Sequence, residues 1–259
     1  MNKQHQNAIR MVIFLLVFAV AAGGVIWLKK NKNTAPQPEK PENMSVIQDN
    51  SISLDDFSQT PISQVNVPLP QTINRSVVVS ANLSKTEKTE YLANIAEATK
   101  NLRENPISYE DWLKLGMYRK AIGDYVGASE AWKENIKINP GGHIAYNNLG
   151  DLYHFYLRDF VLAEKYMKDA IRIKPDYLPT YRNLFDLYTL SYAQKKESAD
   201  DVLLDGIAKN PKAYDLMVLL AGHYKDEGYN VQAREYYQKA LALNPPNHSA
   251  IEAELNSIQ

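Results

Sequence analysis

Five prolines recur along the C-terminal part of the chain at nearly constant intervals, and this spacing constrains the fold more than any other feature. The intervals between Pro106, Pro140, Pro175, Pro211 and Pro245 are 34, 35, 36 and 34 residues. Proline lacks a backbone N–H and cannot continue a helix, so each one closes a helical stretch. Each interval has room for two helices and a turn, which indicates a tandem array of helix pairs.

The residues between the prolines repeat as well. YNNLGDLY at 146–153 returns as YRNLFDLY at 181–188. An active site needs one copy of each catalytic group, whereas a unit that stacks on copies of itself must repeat its packing residues. The echo therefore indicates architecture rather than catalysis. Aligned on the prolines, the repeats span 109–142, 143–177, 178–213 and 214–247.

Three positions of this alignment predict how the helices pack. Position seven is always leucine, position twenty is always alanine, and a large apolar residue follows four residues later. The leucines are Leu115, Leu149, Leu184 and Leu220, the alanines Ala128, Ala163, Ala199 and Ala233, and the large residues Trp132, Met167, Leu203 and Tyr237. A leucine fills the space between two helices, whereas an alanine marks a crossing too close for a larger side chain.

This pattern resembles the tetratricopeptide repeat (TPR), a helix-turn-helix unit of 34 residues with Trp, Leu, Gly, Tyr, Ala, Phe, Ala and Pro in that order. The first repeat has Trp112, Leu115, Gly116, Ala128, Trp132 and Pro140, the second Tyr146, Leu149, Gly150, Tyr153, Ala163, Ala170 and Pro175, and the fourth Leu220, Ala221, Tyr224, Ala233, Tyr237, Ala240 and Pro245. The resemblance covers 109–247. It implies an all-α fold, a right-handed solenoid of about four repeats with capping helices at its ends.

Two repeats depart from the family pattern. Repeat three has Phe185 where a small residue is expected and Gly206 where alanine is usual. We expect the space at Gly206 to accommodate the ring of Phe185. Repeat one has Arg119 in place of the usual aromatic residue.

The segments that flank the repeats read as capping helices. SKTE at 84–87 offers a hydroxyl cap and a glutamate three residues later, the reciprocal arrangement that satisfies free amides at a helix start. We therefore predict an N-terminal capping helix at 84–105 and a C-terminal one at 248–259. Both would cover apolar faces that a stacked array exposes at its ends.

The N-terminal region predicts a membrane anchor. Residues 11–28 are eighteen uncharged, mostly apolar residues, which as a helix would rise about 27 Å and nearly match the hydrocarbon thickness of a bilayer. Arg10 precedes this segment and Lys29 follows it. The alternative is a cleaved signal peptide, because AVA at 19–21 has the form that a signal peptidase accepts. The apolar run continues past that site and stops at lysines, which favours an uncleaved single-pass anchor after a short tail at 1–10.

A linker is predicted to join the anchor to the repeats. Residues 29–83 are rich in Pro, Ser and Asn and have no sustained apolar period, which is typical of a disordered tether. Within it, RSVVV at 75–79 could form a short strand or a docking segment, or remain a local apolar patch. Positive charges are balanced on the two sides of the anchor, so the charge rule does not fix its orientation. A short tail is easily left in the cytoplasm, which favours an extracytoplasmic position for the repeats.

The resemblance also implies where a partner would bind. TPR proteins hold an extended segment or a helix on a concave surface lined by the first helix of each pair. The family positions that line it correspond here to Leu113, Met117, Asn147, Asn148, Asp151, His154, Arg182, Asn183, Asp186 and Val218. The alternative is a solvated helix face, on which Arg182 and Asp186 would pair with each other across one helical turn.

Composition excludes several other functions. Beyond residue 33 the chain carries 24 basic and 30 acidic side chains, which disfavours nucleic-acid binding. It has no cysteine, its five histidines are not spaced as metal ligands, and no catalytic motif is present. We therefore predict a membrane-tethered adaptor without cofactor, metal or catalytic residues, which binds a protein or peptide. The alternative is a self-associating scaffold component of an envelope, secretion or pilus-type assembly.

Overall fold

The computed structural model describes residues 70–79 and 82–258, which form ten α-helices and no β-strand. Helices α1 to α10 span, in order, Lys85–Glu104, Tyr109–Ala121, Tyr125–Ile138, His143–Leu152, Phe160–Ile173, Leu178–Leu190, Ala199–Lys209, Tyr214–Asp226, Asn230–Ala242 and His248–Asn256. Short 3₁₀ segments lie at Gln71–Asn74 and Ala193–Ser198, and a π-helical turn at Tyr153–Leu157.

Part of the predicted organisation falls outside this range. The tail at 1–10, the transmembrane helix at 11–28 and residues 29–69 of the linker are not among the described residues. Within 70–79 and 82–258, none of the helices combines the length and the apolar character needed to span a bilayer.

The helices pack in sequential pairs. Helix α2 packs on α3, α4 on α5, α6 on α7, and α8 on α9, while each pair also contacts the next along the chain. Helix α1 packs on the first pair and α10 on the last. This arrangement confirms the predicted all-helical, TPR-like solenoid.

The positions predicted to control packing are buried. The four alanines at position twenty are fully inaccessible to solvent, as are three of the four leucines at position seven, while Leu184 is 3% exposed. Glycine allows the same close approach on the first helices. A β-carbon at Gly116 would overlap the indole of Trp132, and one at Gly150 would lie 2.5 Å from Cγ of Met167. In each of these pairs, a large side chain of the second helix therefore packs directly against the backbone of the first helix.

Short polar side chains cap the start of several helices. Ser84 accepts a hydrogen bond from the backbone N–H of Glu87, and the Glu87 carboxylate accepts one from the N–H of Ser84, so the predicted capping box is present. Asp124 caps α3 and Asp159 caps α5, where their carboxylates accept hydrogen bonds from the N–H groups of Gly127 and Leu162. Each cap satisfies amides that have no partner in the first turn of a helix.

The expectation that Gly206 makes room for Phe185 is wrong. A β-carbon at Gly206 would lie 2.8 Å from Cδ1 of Leu216 and 2.9 Å from Cδ1 of Tyr181. Phe185 packs edge-on against the imidazole of His223, with 5.2 Å between ring centres. The missing methyl group at Gly206 therefore lets α7 approach the first helices of repeats three and four.

Residues 70–79, near the end of the predicted linker, pack against α1, α2 and α3 instead of extending freely. Ile73 is 2% exposed and belongs to a buried apolar cluster with Leu102 of α1, Trp112 of α2 and Ala131 of α3. After the 3₁₀ turn the backbone runs without regular structure, and it forms no strand. Burial of an aliphatic side chain explains the docking, because it contributes about 1.5–3 kcal/mol relative to an exposed one.

Polar contacts fix the same segment in place. Nη1 of Arg75 lies 3.1 Å from Oε1 of Glu130 on α3. Nη2 of Arg119 donates a 3.0 Å hydrogen bond to the backbone carbonyl of Arg75. Arg119 is 1% exposed and forms an ion pair with the equally buried Asp124. Where the family pattern has an aromatic residue, Arg119 thus supplies a hydrogen-bond donor to the Arg75 carbonyl of the docked segment.

Candidate functional site

The residues predicted to bind a partner lie on the first helix of each pair and in the π-helical turn after α4. Leu113 and Met117 are on α2, Asn147, Asn148 and Asp151 on α4, His154 in the turn, Arg182, Asn183 and Asp186 on α6, and Val218 on α8. Because successive first helices are joined by side-chain bonds, these residues form one strip across the array. We call it the first-helix strip.

Several polar members of the first-helix strip bond to a neighbouring repeat. The bonds connect α2 to α4, α4 to α6, and α6 to α8 in turn: Lys120 Nζ with the Asp151 carboxylate, Asn183 Nδ2 with Asn147 Oδ1 at 3.1 Å, and Arg182 Nη2 with Asp215 Oδ2 at 2.5 Å. Partly exposed ion pairs of this kind contribute about 0.2–1 kcal/mol each. Their main effect is to fix the register of one repeat on the next.

Arg182 therefore does not pair with Asp186 along one helix, as the alternative of a solvated helix face predicted. Its ion-pair partner is Asp215 in the following repeat, while Asp186, four residues away on the same helix, forms no ion pair with it. Asp215 was not among the predicted residues. Its only sequence signal is an acidic side chain at the second position of α8, thirty-three residues after the arginine.

His154 is a packing residue rather than an exposed ligand. It is fully buried, its Nε2 lies 2.9 Å from Oγ of Ser191, and its ring stacks on Phe155 with 3.9 Å between centres. Burial lowers the pKa of His154 to about 4, with the nearby Asp151 opposing the shift and Arg158 adding to it. The imidazole is therefore neutral near pH 7 and helps to hold repeat two against repeat three.

An irregular turn places His154 inside the array. Repeat two has 35 residues, one more than the family pattern. The π-helical turn at Tyr153–Leu157 accommodates this extra residue, and Arg158 then adopts a left-handed conformation with φ of 58°. A single left-handed residue is the usual way to end a helix with its carbonyls satisfied. Here Asp159 N–H donates to the carbonyl of Tyr153 at 3.0 Å.

Asn148 and Asp186 are the polar members of the first-helix strip that remain available. Both are half-buried, and within residues 70–79 and 82–258 neither side chain has a hydrogen-bond partner or forms an ion pair. Burial raises the pKa of the Asp186 carboxyl to about 6, although the charge of Arg182 partly opposes this. A half-buried carboxylate without a partner is unfavourable in free energy, and a hydrogen-bond donor or cation would relieve that cost.

The apolar members of the first-helix strip lie at its two ends. Leu113 and Met117 of α2 and Val218 of α8 are half-buried and pack against the hydrophobic core. Their remaining exposure leaves apolar surface on either side of Asn148 and Asp186. The strip can therefore offer hydrogen bonds near its middle and van der Waals contact near its ends.

The described part of the chain shows no arrangement suited to metal chemistry. Across residues 70–79 and 82–258, no group of three or more His, Asp or Glu side chains is placed to hold a metal ion.

Comparisons with known proteins agree with this architecture. A family model described as tetratricopeptide repeat matches residues 143–177 and 214–247, the second and fourth predicted repeats. Among solved structures, one of MamA is 23% identical, with 65% of this chain and 96% of that chain covered and a TM-score of 0.50. TTC0263, a thermophilic TPR protein of Thermus thermophilus, is 22% identical over 67% of this chain and 92% of its own, with a TM-score of 0.45. At 23% identity the MamA structure shows a likeness of fold alone, and no curated protein sequence matches the chain.

Proposed function

We propose that the chain is a non-catalytic adaptor that binds a partner protein or peptide on the first-helix strip and positions it at a membrane. The match of residues 143–177 and 214–247 to the tetratricopeptide repeat supports this proposal. The observation that carries the proposal is the environment of Asn148 and Asp186. They are half-buried polar side chains without partners among the described residues, between apolar contacts at the two ends of the strip.

The chemistry of these residues indicates what the partner offers. The Asn148 side chain can donate and accept, so it suits the backbone of an extended segment or a polar side chain. The Asp186 carboxylate suits a lysine, an arginine or a backbone N–H. The stacked repeats hold both residues on rigid helices, which lowers the entropy lost on binding.

Membrane attachment rests on the sequence of residues 11–28. That segment has the length and apolar character of a single-pass anchor. We propose that it holds the repeats beside the bilayer on the extracytoplasmic side, so that the adaptor concentrates its partner near the membrane.

Capture of the partner from native membranes tests this function. The full-length chain carrying Asn148→Arg and Asp186→Arg should lose its chemically cross-linked partner, because both changes place a bulky cation in the first-helix strip. A matched control carries Gln232→Arg and Gln238→Arg on the exposed surface of α9 and should retain the partner. An identical captured set for both double variants would contradict the proposal.

A further inference from the structure

A second surface lies between the second helices of neighbouring repeats. At the start of the array, α1 precedes α2 and α3 in the way that α5 precedes α6 and α7. The residues correspond when Pro106 is aligned with Pro175 and Ala128 with Ala199. Under this alignment Leu102, Trp112, Leu115 and Ala131 correspond to Ile171, Tyr181, Leu184 and Val202.

The first set of four residues surrounds a docked side chain. All four belong to the buried cluster that contains Ile73 of the segment 70–79. We call the space that Ile73 fills the first groove. The corresponding four residues of repeat three line a cavity of about 290 Å³, which we call the third groove. This volume is at the lower end of the range for ligand sites and suits one or two side chains.

The chain itself closes the equivalent space in the other two repeats. Residues 131, 166, 202 and 236 are equivalent, and they are Ala, Tyr, Val and Tyr. The ring of Tyr166 stacks on Tyr153 with 5.7 Å between centres, and Tyr236 lies 5.9 Å from Tyr224. A tyrosine therefore fills this space in repeats two and four, whereas the smaller Ala131 and Val202 leave it open. Ile73 occupies the first of these open spaces.

The charges beside the two open grooves also correspond. Glu130, which holds Arg75 of the docked segment, is equivalent to Asp201 at the edge of the third groove. The Asp201 carboxylate is exposed and forms no ion pair within the described ranges. The other charged residues at this groove already have partners: Lys168 and Lys195 pair with Glu164, and Asp205 pairs with Lys209.

We propose that the third groove binds a short segment of a partner protein that carries an aliphatic side chain within a turn and, two residues later, an arginine. The aliphatic side chain enters the cavity over Leu184 and Val202, and the arginine pairs with Asp201. These two contacts correspond to the apolar burial of Ile73 and to the ion pair of Arg75 with Glu130 in repeat one. The surface is separate from the first-helix strip, so the adaptor would hold two segments at once.

Titration of a labelled peptide onto the full-length chain tests the proposal. The probe is a fluorescein-labelled peptide with the sequence of residues 71–79, QTINRSVVV, followed by fluorescence polarisation. The first groove is already filled by the chain's own segment at a high effective concentration, so the free peptide reports the third groove. Val202→Tyr closes that groove as Tyr166 and Tyr236 close theirs, and it should weaken binding at least about tenfold. No saturable binding to the natural chain, or equal binding to Val202→Tyr, would overturn the proposal.

A charge change tests the arginine contact without altering the cavity. Asp201→Lys should weaken binding of QTINRSVVV about fivefold and leave binding of QTINASVVV unchanged. Asp226→Lys, an exposed change on α8, should affect neither peptide. Equal losses for both peptides would overturn the role of Asp201. Dimers of the natural chain that Val202→Tyr dissociates in light scattering would overturn the occupant, because a second copy would then fill the groove.

Discussion

The guanidinium of Arg119 donates a hydrogen bond of 3.0 Å to the backbone carbonyl of Arg75, forty-four residues earlier in the chain. Arg119 is buried in α2 and also pairs with Asp124. A buried arginine needs acceptors for its several donors, and the docked segment supplies one of them. The segment is therefore an integral part of the first repeat.

Removal of the Ile73 side chain should expose this dependence. Ile73→Ala should lower the free energy of unfolding by about 1–3 kcal/mol, because it leaves a cavity among Leu102, Trp112 and Ala131. Urea unfolding measures the change, and trypsin cleavage after Arg75 should become faster. The control Val78→Ala alters a side chain that is 57% exposed and should change stability by less than about 0.5 kcal/mol. If Ile73→Ala changed stability as little as Val78→Ala, burial of Ile73 would not contribute to the stability of the fold.

Two glycines in helices offer a matched test of close packing. Gly206→Ala should destabilise by about 1–3 kcal/mol, since its β-carbon would lie 2.8 Å from Leu216 and 2.9 Å from Tyr181. Gly222→Ala on α8 should stabilise by up to about 1 kcal/mol, because alanine favours helix and the nearest atom, the hydroxyl of Tyr237, is 3.7 Å away. Thermal unfolding of both variants distinguishes packing from propensity. A stabilised Gly206→Ala would show that α7 can shift without cost.

The buried histidine should make the array sensitive to acid. The pKa of His154 is about 4 in the folded chain and near its ordinary value of 6.5 when unfolded. The unfolded state therefore binds more protons between these values, and stability falls as pH decreases from about 6.5 to 4, by up to about 3 kcal/mol. The free energy of unfolding, measured with urea at several pH values in this range, should fall less steeply with decreasing pH in His154→Gln than in the natural chain. His143→Gln, at a half-buried histidine on α4, should retain most of the slope, and an unchanged slope in His154→Gln would assign the acid sensitivity elsewhere.

Asp186 should show the opposite trend with pH. Its pKa is raised to about 6 in the folded state, so the folded chain binds more protons than the unfolded chain between about pH 4 and 6. The carboxylate then costs stability above pH 6, and that cost disappears as pH falls. Asp186→Asn should gain about 1–2 kcal/mol at pH 8 and almost nothing near pH 4. The exposed control Asp226→Asn should change stability by less than about 0.5 kcal/mol at either pH, and a loss of stability in Asp186→Asn at pH 8 would indicate a partner for the carboxylate.

Features that follow the repeat period could be predicted from the sequence. The buried alanines, the prolines that end second helices and the cap at Ser84 each depend on residues within one helix or one repeat. Trp112 illustrates the local character of these contacts, because its Nε1 donates to the carbonyl of Pro106 only six residues away. Tyr181 makes the equivalent bond to Pro175.

Contacts between specific partners in different repeats could not be predicted in this way. The bond between Lys120 and Asp151 joins residues thirty-one positions apart and occurs at one interface, so no periodicity encodes it. Docking of Ile73 depends on a gap left by Ala131, which is visible only when the equivalent residues of all four repeats are compared in three dimensions. Several of the ten residues in the first-helix strip join the repeats, so fewer than ten are available to a partner.

Site-specific photo-cross-linking tests most directly whether the first-helix strip binds the partner. The photoreactive residue p-benzoylphenylalanine would replace Asn148 in the strip and, as the control, Val231, which is 79% exposed on α9. The full-length chain would be irradiated in native membranes and the products separated by mass. We predict a discrete cross-linked species from position 148 and none from position 231. A species from position 231 alone would contradict partner binding on the first-helix strip.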